Sequence, residues 1–142
     1  MFMTEDYYVS TDKSKLDIEI IHDFLSNRSY WAQGRSMDDV RKSIKNSLCF
    51  GLYKNNEQQV GFGRVITDYT VFAWLLDVFI LEEYRGKGLG KYLMTHIFDL
   101  EELRCVKRWR LTTKDAHGLY EKFGFHRIKN PEFFMEKSLT ST

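Results

Sequence analysis

Apolar positions in the first third of the chain recur at helical spacing and predict two helices. The first covers Lys15 to Ser26 with Ser14 as its N-cap, and the second begins after Ser36. Ser36 stands three residues before Asp39, which resembles a capping box with Asp in place of the usual Glu. The first helix has one apolar side, made by Leu16, Ile20, Ile21, Phe24 and Leu25.

Further along, the apolar runs have the length and residue types of strands. Leu48 to Tyr53 and Gln59 to Thr67 predict an antiparallel hairpin, because the loop between them is rich in turn-forming residues. The run Val71 to Leu81 is a buried strand that continues this meander. The other predicted elements are a strand at Asp6 to Ser10, a helix at Lys91 to Leu103, a strand at Arg108 to Thr113, a helix at Ala116 to Phe123, and two closing strands at Phe125 to Ile128 and Phe133 to Lys137.

These elements predict an α/β (α+β) fold with a mixed, mostly antiparallel sheet of about six or seven strands and four flanking helices. A chain of 142 residues is expected to form one domain, residues 1–142. The longest apolar run is too short to cross a membrane, and the N-terminus lacks the pattern of a secretory signal. We therefore expect a cytoplasmic protein with no membrane partner.

Charge and cysteine content exclude several classes of site. Lysine and arginine number 21 against 20 aspartates and glutamates, so the chain has no global field that would favour nucleic acid. Cys49 and Cys105 lack the spacing of a disulfide framework or a zinc site. The histidines have no ligand-like spacing either, so no metal is expected. Any anion site must be local.

A glycine-rich loop, Arg85-Gly86-Lys87-Gly88-Leu89-Gly90, separates the Val71 strand from the next helix. The first helical turn has N–H groups without intrahelical partners and lies at the positive end of the helix dipole. Arg85, Lys87 and Lys91 add positive charge around the same turn. The loop therefore predicts a site for a phosphate or pyrophosphate.

The glycine spacing matches neither the dinucleotide fingerprint nor the nucleoside triphosphate loop, because Lys91 stands where the former needs glycine. What remains is R-x-x-G-x-G after a strand. A second segment, Ala116 to Phe125, reads A-x-x-L-Y-E-K-x-G-F. Together the two segments resemble the GNAT superfamily of acyl-CoA-dependent N-acyltransferases. Thr113 and Glu82 depart from the asparagine and proline that many members have there.

The resemblance implies a GNAT-like fold and an N-acetyltransferase that uses acetyl-CoA as co-substrate. In that family an amine attacks the thioester directly, with both substrates bound together. The acceptor would be a small-molecule amine or a peptide or protein amine, with the enzyme a monomer or homodimer. The backbone N–H groups of Gly86 to Gly90, including that of Leu89, would bind the pyrophosphate. The backbone of Phe79, Ile80 and Leu81 would pair with the pantetheine arm. A non-catalytic acyl-CoA binder on the same scaffold is the alternative.

The resemblance also assigns catalytic roles. Tyr120 stands where the family places a tyrosine that protonates or hydrogen-bonds the departing thiolate, although it could simply pack its helix on the sheet. Asp77, inside an apolar strand, is the best candidate for the base that accepts the amine proton, because burial raises the pKa of a carboxylate. Asp77 could instead only satisfy buried donors or pin a bulge, with a water chain as the base. The reserve candidates are His22, Asp68 and Tyr69.

Acceptor recognition is expected in the variable first half of the chain. The loop between the first two helices contains Tyr30, Trp31 and Arg35, and it lies where the family builds one wall of its acceptor site. Trp31 could equally be an apolar plug that ties the first helix to the sheet. Tyr69, in the turn before the Val71 strand, is expected near the same cleft.

Overall fold

A computed structural model describes residues 6–139 and contains a five-stranded sheet with the strands in chain order. Neighbouring strands are antiparallel except the last two, which are parallel. The strands are β1 (Tyr7–Ser10), β2 (Leu48–Lys54), β3 (Gln59–Thr67), β4 (Phe72–Ile80) and β5 (Arg108–Arg110). The mixed, mostly antiparallel sheet is confirmed, including the β2–β3 hairpin, but it has fewer strands than predicted.

Four α-helices accompany the sheet in the described part of the chain, as predicted. They are α1 (Ile18–Asp23), α2 (Met37–Lys45), α3 (Leu89–Asp99) and α4 (His117–Glu121). A π-helical turn, Phe24–Arg28, follows α1. Short 3-10 turns lie at Lys13–Lys15, Glu82–Tyr84, Glu101–Leu103 and Pro131–Phe133.

The N-caps of the first two helices differ in how well the sequence predicted them. Ser36 caps α2, and its hydroxyl accepts a hydrogen bond from the N–H of Asp39 at 3.1 Å. Ser14 was the wrong cap for α1, because it lies within the 3-10 turn that precedes the helix. Asp17 caps α1 instead, and its carboxylate accepts from the N–H of Ile20 at 3.1 Å.

The chain divides into two compact units, residues 1–112 and residues 113–142. The first contains the sheet and α1 to α3, and the second contains α4. A single domain stays a prediction. The predicted closing strands are wrong: apart from the 3-10 turn Pro131–Phe133, the structure has irregular backbone over residues 125–139. Residues 126–139 are all exposed, and an apolar run forms a strand only when a neighbour pairs with its backbone.

The core of the first unit lies between the sheet and the helical segment that connects β1 to β2. The buried side chains there come from α1, the π-helical turn, α2 and the central strands. The Phe24 ring stacks on the Phe79 ring of β4 with centroids 4.2 Å apart. This stack ties the π-helical turn to the middle of the sheet, so the loop that follows the turn is held beside β4.

Two irregularities of β4 shape the region that follows. β5 pairs only with Phe72 to Trp74, so the edge of β4 from Leu75 onward lies beyond that parallel ladder. On its other side β4 has a bulge, where Asp77 and Val78 lie opposite Gly63 alone. Asp77 adopts a left-handed conformation with a φ of 55°. Among residues 6–139 no strand pairs with the β5 side of β4 from Leu75 onward, which we call the open edge, and the strand is kinked at Asp77.

Candidate functional site

The glycine loop leads into α3 through two left-handed residues. Gly86 has a φ of 77° and Gly88 a φ of 79°, a conformation that side-chain-bearing residues rarely adopt. Gly88 is the N-cap of α3 and has no side-chain capping hydrogen bond. A Cβ added at Gly86 would meet no atom within 4 Å, so the loop surface there is open. The N–H groups of the first turn of α3 follow this open loop, and their binding of an anion stays a prediction.

The basic residues of the loop are positioned by neighbouring groups. Arg85 Nε donates a hydrogen bond to the backbone oxygen of Ile80 at 3.1 Å, which fixes the loop to the end of β4. Lys87 Nζ lies 5.6 Å from the centroid of the Tyr84 ring. Lys91 is exposed on the first turn of α3. All three cations thus belong to the loop or to the first turn of α3, and the pyrophosphate site that they would serve stays a prediction.

Leu89 of the loop and Leu81 after β4 were predicted to bind the co-substrate through their backbone groups. The side chain of Leu89 is buried against Tyr7, Leu52 and Val60, so it anchors the start of α3. The N–H of Leu81 donates to the oxygen of Val60 at 2.8 Å, on the β3 side of the strand. Its backbone therefore faces away from the open edge.

Because backbone groups alternate along a strand, those of Phe79 also face β3, where Phe79 pairs with Phe62. The groups of Ile80 face the open edge. The prediction that Phe79, Ile80 and Leu81 all pair with the pantetheine arm therefore included too many residues. Of the three, Ile80 is the one whose backbone groups face the open edge.

Asp77 is the centre of a buried polar cluster. Its Oδ1 accepts from Trp31 Nε1 at 3.0 Å, and its Oδ2 accepts from Arg35 at 2.7 Å and from Arg64 Nε at 2.9 Å. Arg64 also donates to the Ser47 hydroxyl at 3.0 Å. The cluster joins the loop after α1 to both strands at the bulge, so it fixes the Trp31 and Arg35 side chains beside β4.

The electrostatics of Asp77 contradict the raised pKa expected from the sequence. Burial alone would raise the pKa of this carboxyl, but attraction to the guanidinium groups of Arg64 and Arg35, with their hydrogen bonds, lowers it below its ordinary value. Asp77 is therefore ionised and held by donors on both oxygens. A carboxylate in this state is a weak proton acceptor, and its geometry is that of a structural counter-ion at the bulge.

Three of the four predicted acceptor residues come together. Trp31 and Arg35 share Asp77, and the Tyr30 ring meets the Trp31 ring edge-on with centroids 5.0 Å apart. Both rings are substantially exposed, 49% for Tyr30 and 40% for Trp31. Tyr69 lies apart in the β3–β4 turn, where its N–H donates to the Thr67 hydroxyl.

Trp31 packs on the core, as one of its two predicted roles requires. Its ring lies 6.4 Å from that of Phe24 in a tilted contact. The residue is also 40% exposed and donates a hydrogen bond to Asp77, so it lies on the surface beside β4. Its role in an acceptor site stays a prediction.

Sequence reasoning missed Arg64 and Ser47. A signal was present, because Arg64 is the one charged residue in β3 and a buried guanidinium requires a counter-ion. Asp68, a reserve base, is instead a turn residue: its Oδ1 accepts from the N–H groups of Thr70, Val71 and Phe72. These backbone hydrogen bonds lower the pKa of Asp68 to about 2.

Tyr120 belongs to the second unit. It lies in α4 with its side chain buried, and its ring meets that of Phe125 edge-on with centroids 5.9 Å apart. The helix is shorter than the predicted Ala116 to Phe123, because α4 ends at Glu121, and Gly124 beyond it is left-handed with a φ of 91°. The role of the Tyr120 hydroxyl stays a prediction.

Within residues 6–139, no three or more His, Cys, Asp or Glu side chains are grouped so that they could hold a metal ion. None of the helices described here has the length and apolar character needed to span a membrane.

Comparison with protein families gives a match over both segments that resembled the GNAT superfamily. A family model described as an acetyltransferase (GNAT) domain matches residues 45–127, which contain the glycine loop and Tyr120. A protein of Gibberella zeae named as an acetyltransferase is 32% identical over 136 residues, which is 82% of this chain and 77% of that protein.

Two further relatives are a solved structure and a named enzyme. The crystal structure of a protein from Xanthomonas campestris pv. campestris, ascribed to the GNAT family, has a TM-score of 0.90 and 44% identity, covering 96% of this chain and 97% of the other. The spermine/spermidine N(1)-acetyltransferase of Bacillus subtilis is 34% identical over 93 residues, 62% of this chain and 56% of that enzyme.

Proposed function

Because the chain belongs to the GNAT family of acetyltransferases, we propose that it transfers an acetyl group from acetyl-CoA to a primary amine. The observation that carries this proposal is the open, left-handed glycine loop at the start of α3. Its amides, its flanking cations and the space above Gly86 suit a pyrophosphate. Other phosphate ligands are made less suitable by the glycine spacing.

The donor would be held by groups of the first unit. The N–H groups from Gly86 to Gly90 would bind the two phosphates, with Arg85, Lys87 and Lys91 supplying charge. The backbone of Ile80 on the open edge of β4 would pair with the pantetheine amides as an added strand would. Arg85 already occupies the Ile80 oxygen, so the Ile80 N–H is the group most suited to this pairing.

The transfer itself needs no covalent enzyme intermediate. The amine nitrogen attacks the thioester carbonyl carbon, the C–S bond breaks as the C–N bond forms, and the product is an amide with free CoA. Holding both reactants at near-attack distance supplies several kcal/mol of the barrier, about 7–11 in the best intramolecular examples. By resemblance to the family, the Tyr120 hydroxyl would protonate the departing thiolate.

The proton lost by the attacking nitrogen is assigned to solvent water rather than to Asp77. Both oxygens of Asp77 are occupied, and its pKa is lowered by two arginines. Asp77 therefore does not distinguish an enzyme from the alternative, a non-catalytic domain that only binds acyl-CoA. The two functions share the donor site and differ in turnover.

The first experiment is isothermal titration with acetyl-CoA, desulfo-CoA and ATP. The proposal expects micromolar binding of acetyl-CoA and of desulfo-CoA and much weaker binding of ATP. Binding of ATP without acetyl-CoA would refute an acetyltransferase.

The second experiment measures thiol release over a panel of amines that includes spermine and spermidine. Release with at least one amine supports transfer. Tight binding of acetyl-CoA with no release from any amine favours the acyl-CoA-binding alternative.

A further inference from the structure

The polar cluster around Asp77 contains unequal numbers of positive and negative charges. Arg35 and Arg64 both pair with Asp77, and within residues 6–139 this is the one carboxylate that the structure pairs with either of them. Two guanidinium groups and one carboxylate leave a net charge of +1. Neither arginine can lose its proton at physiological pH, so this charge is permanent.

The uncompensated charge reaches the surface through Arg35. The side chains of Asp77 and Arg64 are 2% and 9% exposed, whereas that of Arg35 is 24% exposed. In the described part of the chain, a single nitrogen of the Arg35 guanidinium donates to Asp77. A guanidinium has five N–H donors, so Arg35 can bind a second oxyanion while it stays anchored.

Two aromatic side chains lie near Arg35. Trp31 donates to the other oxygen of Asp77, and the partly exposed Tyr30 meets the Trp31 ring edge-on. Asp77 lies in β4, three residues before Ile80. The anchored cation is therefore fixed to the same strand that presents Ile80 to the proposed donor.

We infer that Arg35, held by Asp77 and flanked by Trp31, selects amine acceptors that also carry an oxyanion group, a carboxylate or a phosphate. This inference rests on the proposed function, because it names the substrate class of the same site. The guanidinium would bind the oxyanion through paired N–H groups and leave the amine end of the acceptor to reach the thioester. Acceptors with several positive charges would be repelled by the same net charge.

Binding can be measured without turnover by titrating probes into protein saturated with CoA. The matched pairs are 4-aminobutyrate with 4-aminobutyramide, and 2-aminoethyl phosphate with ethanolamine, with spermidine as the polycation. We expect the anionic member of at least one pair to bind about tenfold or more tightly than its neutral partner. The pair that responds tells whether the site takes a carboxylate or a phosphate.

Variants then assign the preference to Arg35. Arg35→Gln leaves Asp77 with Arg64 in a one-to-one pair, so the fold is expected to survive, and the anionic preference is expected to disappear. Arg35→Lys keeps the charge and should retain part of the preference. Arg104→Gln is the control, because Arg104 pairs with Asp99 at the far end of α3 and should leave the preference intact.

The outcomes separate this inference from the proposed function. Equal or tighter binding of the neutral probes or of spermidine, no binding of any probe, or an unchanged preference in Arg35→Gln overturns the selection by Arg35. If acetyl-CoA is bound and its acetyl group reaches spermidine in preference to the anionic amines, the inference fails while the acetyltransferase stands. If acetyl-CoA does not bind, the proposed function fails and the inference fails with it.

Discussion

Arg64 Nε and Asp77 Oδ2 lie 2.9 Å apart across the β3–β4 ladder, with both side chains buried. Removing one partner from a buried ion pair leaves a charge without compensation. Asp77→Asn keeps the side-chain shape and tolerates the left-handed backbone, but it leaves Arg64 and Arg35 without an anion. We expect it to lower the free energy of unfolding by about 3 kcal/mol, measured by urea denaturation.

The control for this prediction is Asp99→Asn, which removes the carboxylate of the exposed Arg104–Asp99 pair. Exposed pairs contribute little, so the expected change is below about 1 kcal/mol. Equal stability of Asp77→Asn and the wild type would show that the cluster does not hold the bulge together.

Gly86 provides a test of the donor site that separates strain from ligand binding. Gly86→Ala would force a side chain into a φ of 77°, at a cost of about 1–2 kcal/mol in stability. The new methyl group would also stand where the pyrophosphate is proposed to bind. We expect the affinity for acetyl-CoA to fall about tenfold or more in isothermal titration.

Gly34 offers a matched control for this substitution. It has a φ of 79°, and a Cβ there also meets nothing within 4 Å, so Gly34→Ala carries the same strain away from the loop. Its affinity for acetyl-CoA should equal that of the wild type. If both variants lose affinity alike, the loss comes from general strain and the loop assignment is contradicted.

The elements that the sequence predicted correctly are those specified by local patterns. The Ser36 cap, the β2–β3 hairpin and the glycine loop each depend on residues a few positions apart, and all three are in the structure. The prediction of the closing strands was wrong because the local pattern of apolar residues in 125–139 does not show whether a neighbouring strand pairs with them.

The cluster at Asp77 could not be predicted in the same way. Its contacts join residues separated by 13 to 46 positions. The sequence identified Asp77, Trp31 and Arg35 as functional candidates but assigned them to different roles. The fold brings two arginines to one carboxylate, and their charges lower the pKa of Asp77 instead of raising it. Asp77 therefore acts as a counter-ion that holds Arg35 and Arg64, and not as the predicted base.

Tyr120→Phe tests the proposed proton donor. It removes only the hydroxyl, so affinity for acetyl-CoA should be unchanged while turnover falls about 10²-fold or more, because general acid catalysis contributes about that factor. The two quantities are measured by titration and by thiol release. Turnover equal to the wild type would remove this role from Tyr120.

The matched control is Tyr53→Phe, which removes the hydroxyl of another buried tyrosine. Among the described side chains, the Tyr53 hydroxyl is buried without a hydrogen-bond partner. Its loss should therefore leave turnover unchanged and should not lower stability. A fall in turnover in both variants would indicate a general effect of losing a buried hydroxyl.

Asp68 gives a prediction about pH. Its hydrogen bonds from three backbone N–H groups lower its pKa from the ordinary 3.8 to about 2 in the folded protein. A carboxyl whose pKa is lower in the folded state stabilises the fold above pH 3.8, and this contribution is lost as the pH falls toward 2. We expect Asp68→Ala to be less stable than the wild type at pH 7, with the difference shrinking between pH 4 and pH 2.

The measurement is the urea midpoint of both proteins at several pH values from 7 down to 2.5. Asp68→Asn is the informative companion, because its side-chain oxygen can still accept from the turn but carries no charge. At pH 7 the urea midpoint of Asp68→Asn should lie between those of Asp68→Ala and the wild type. The difference between its midpoint and that of the wild type should also diminish in acid. A difference between Asp68→Ala and the wild type that stays constant down to pH 2.5 would mean that the carboxylate charge does not stabilise the β3–β4 turn.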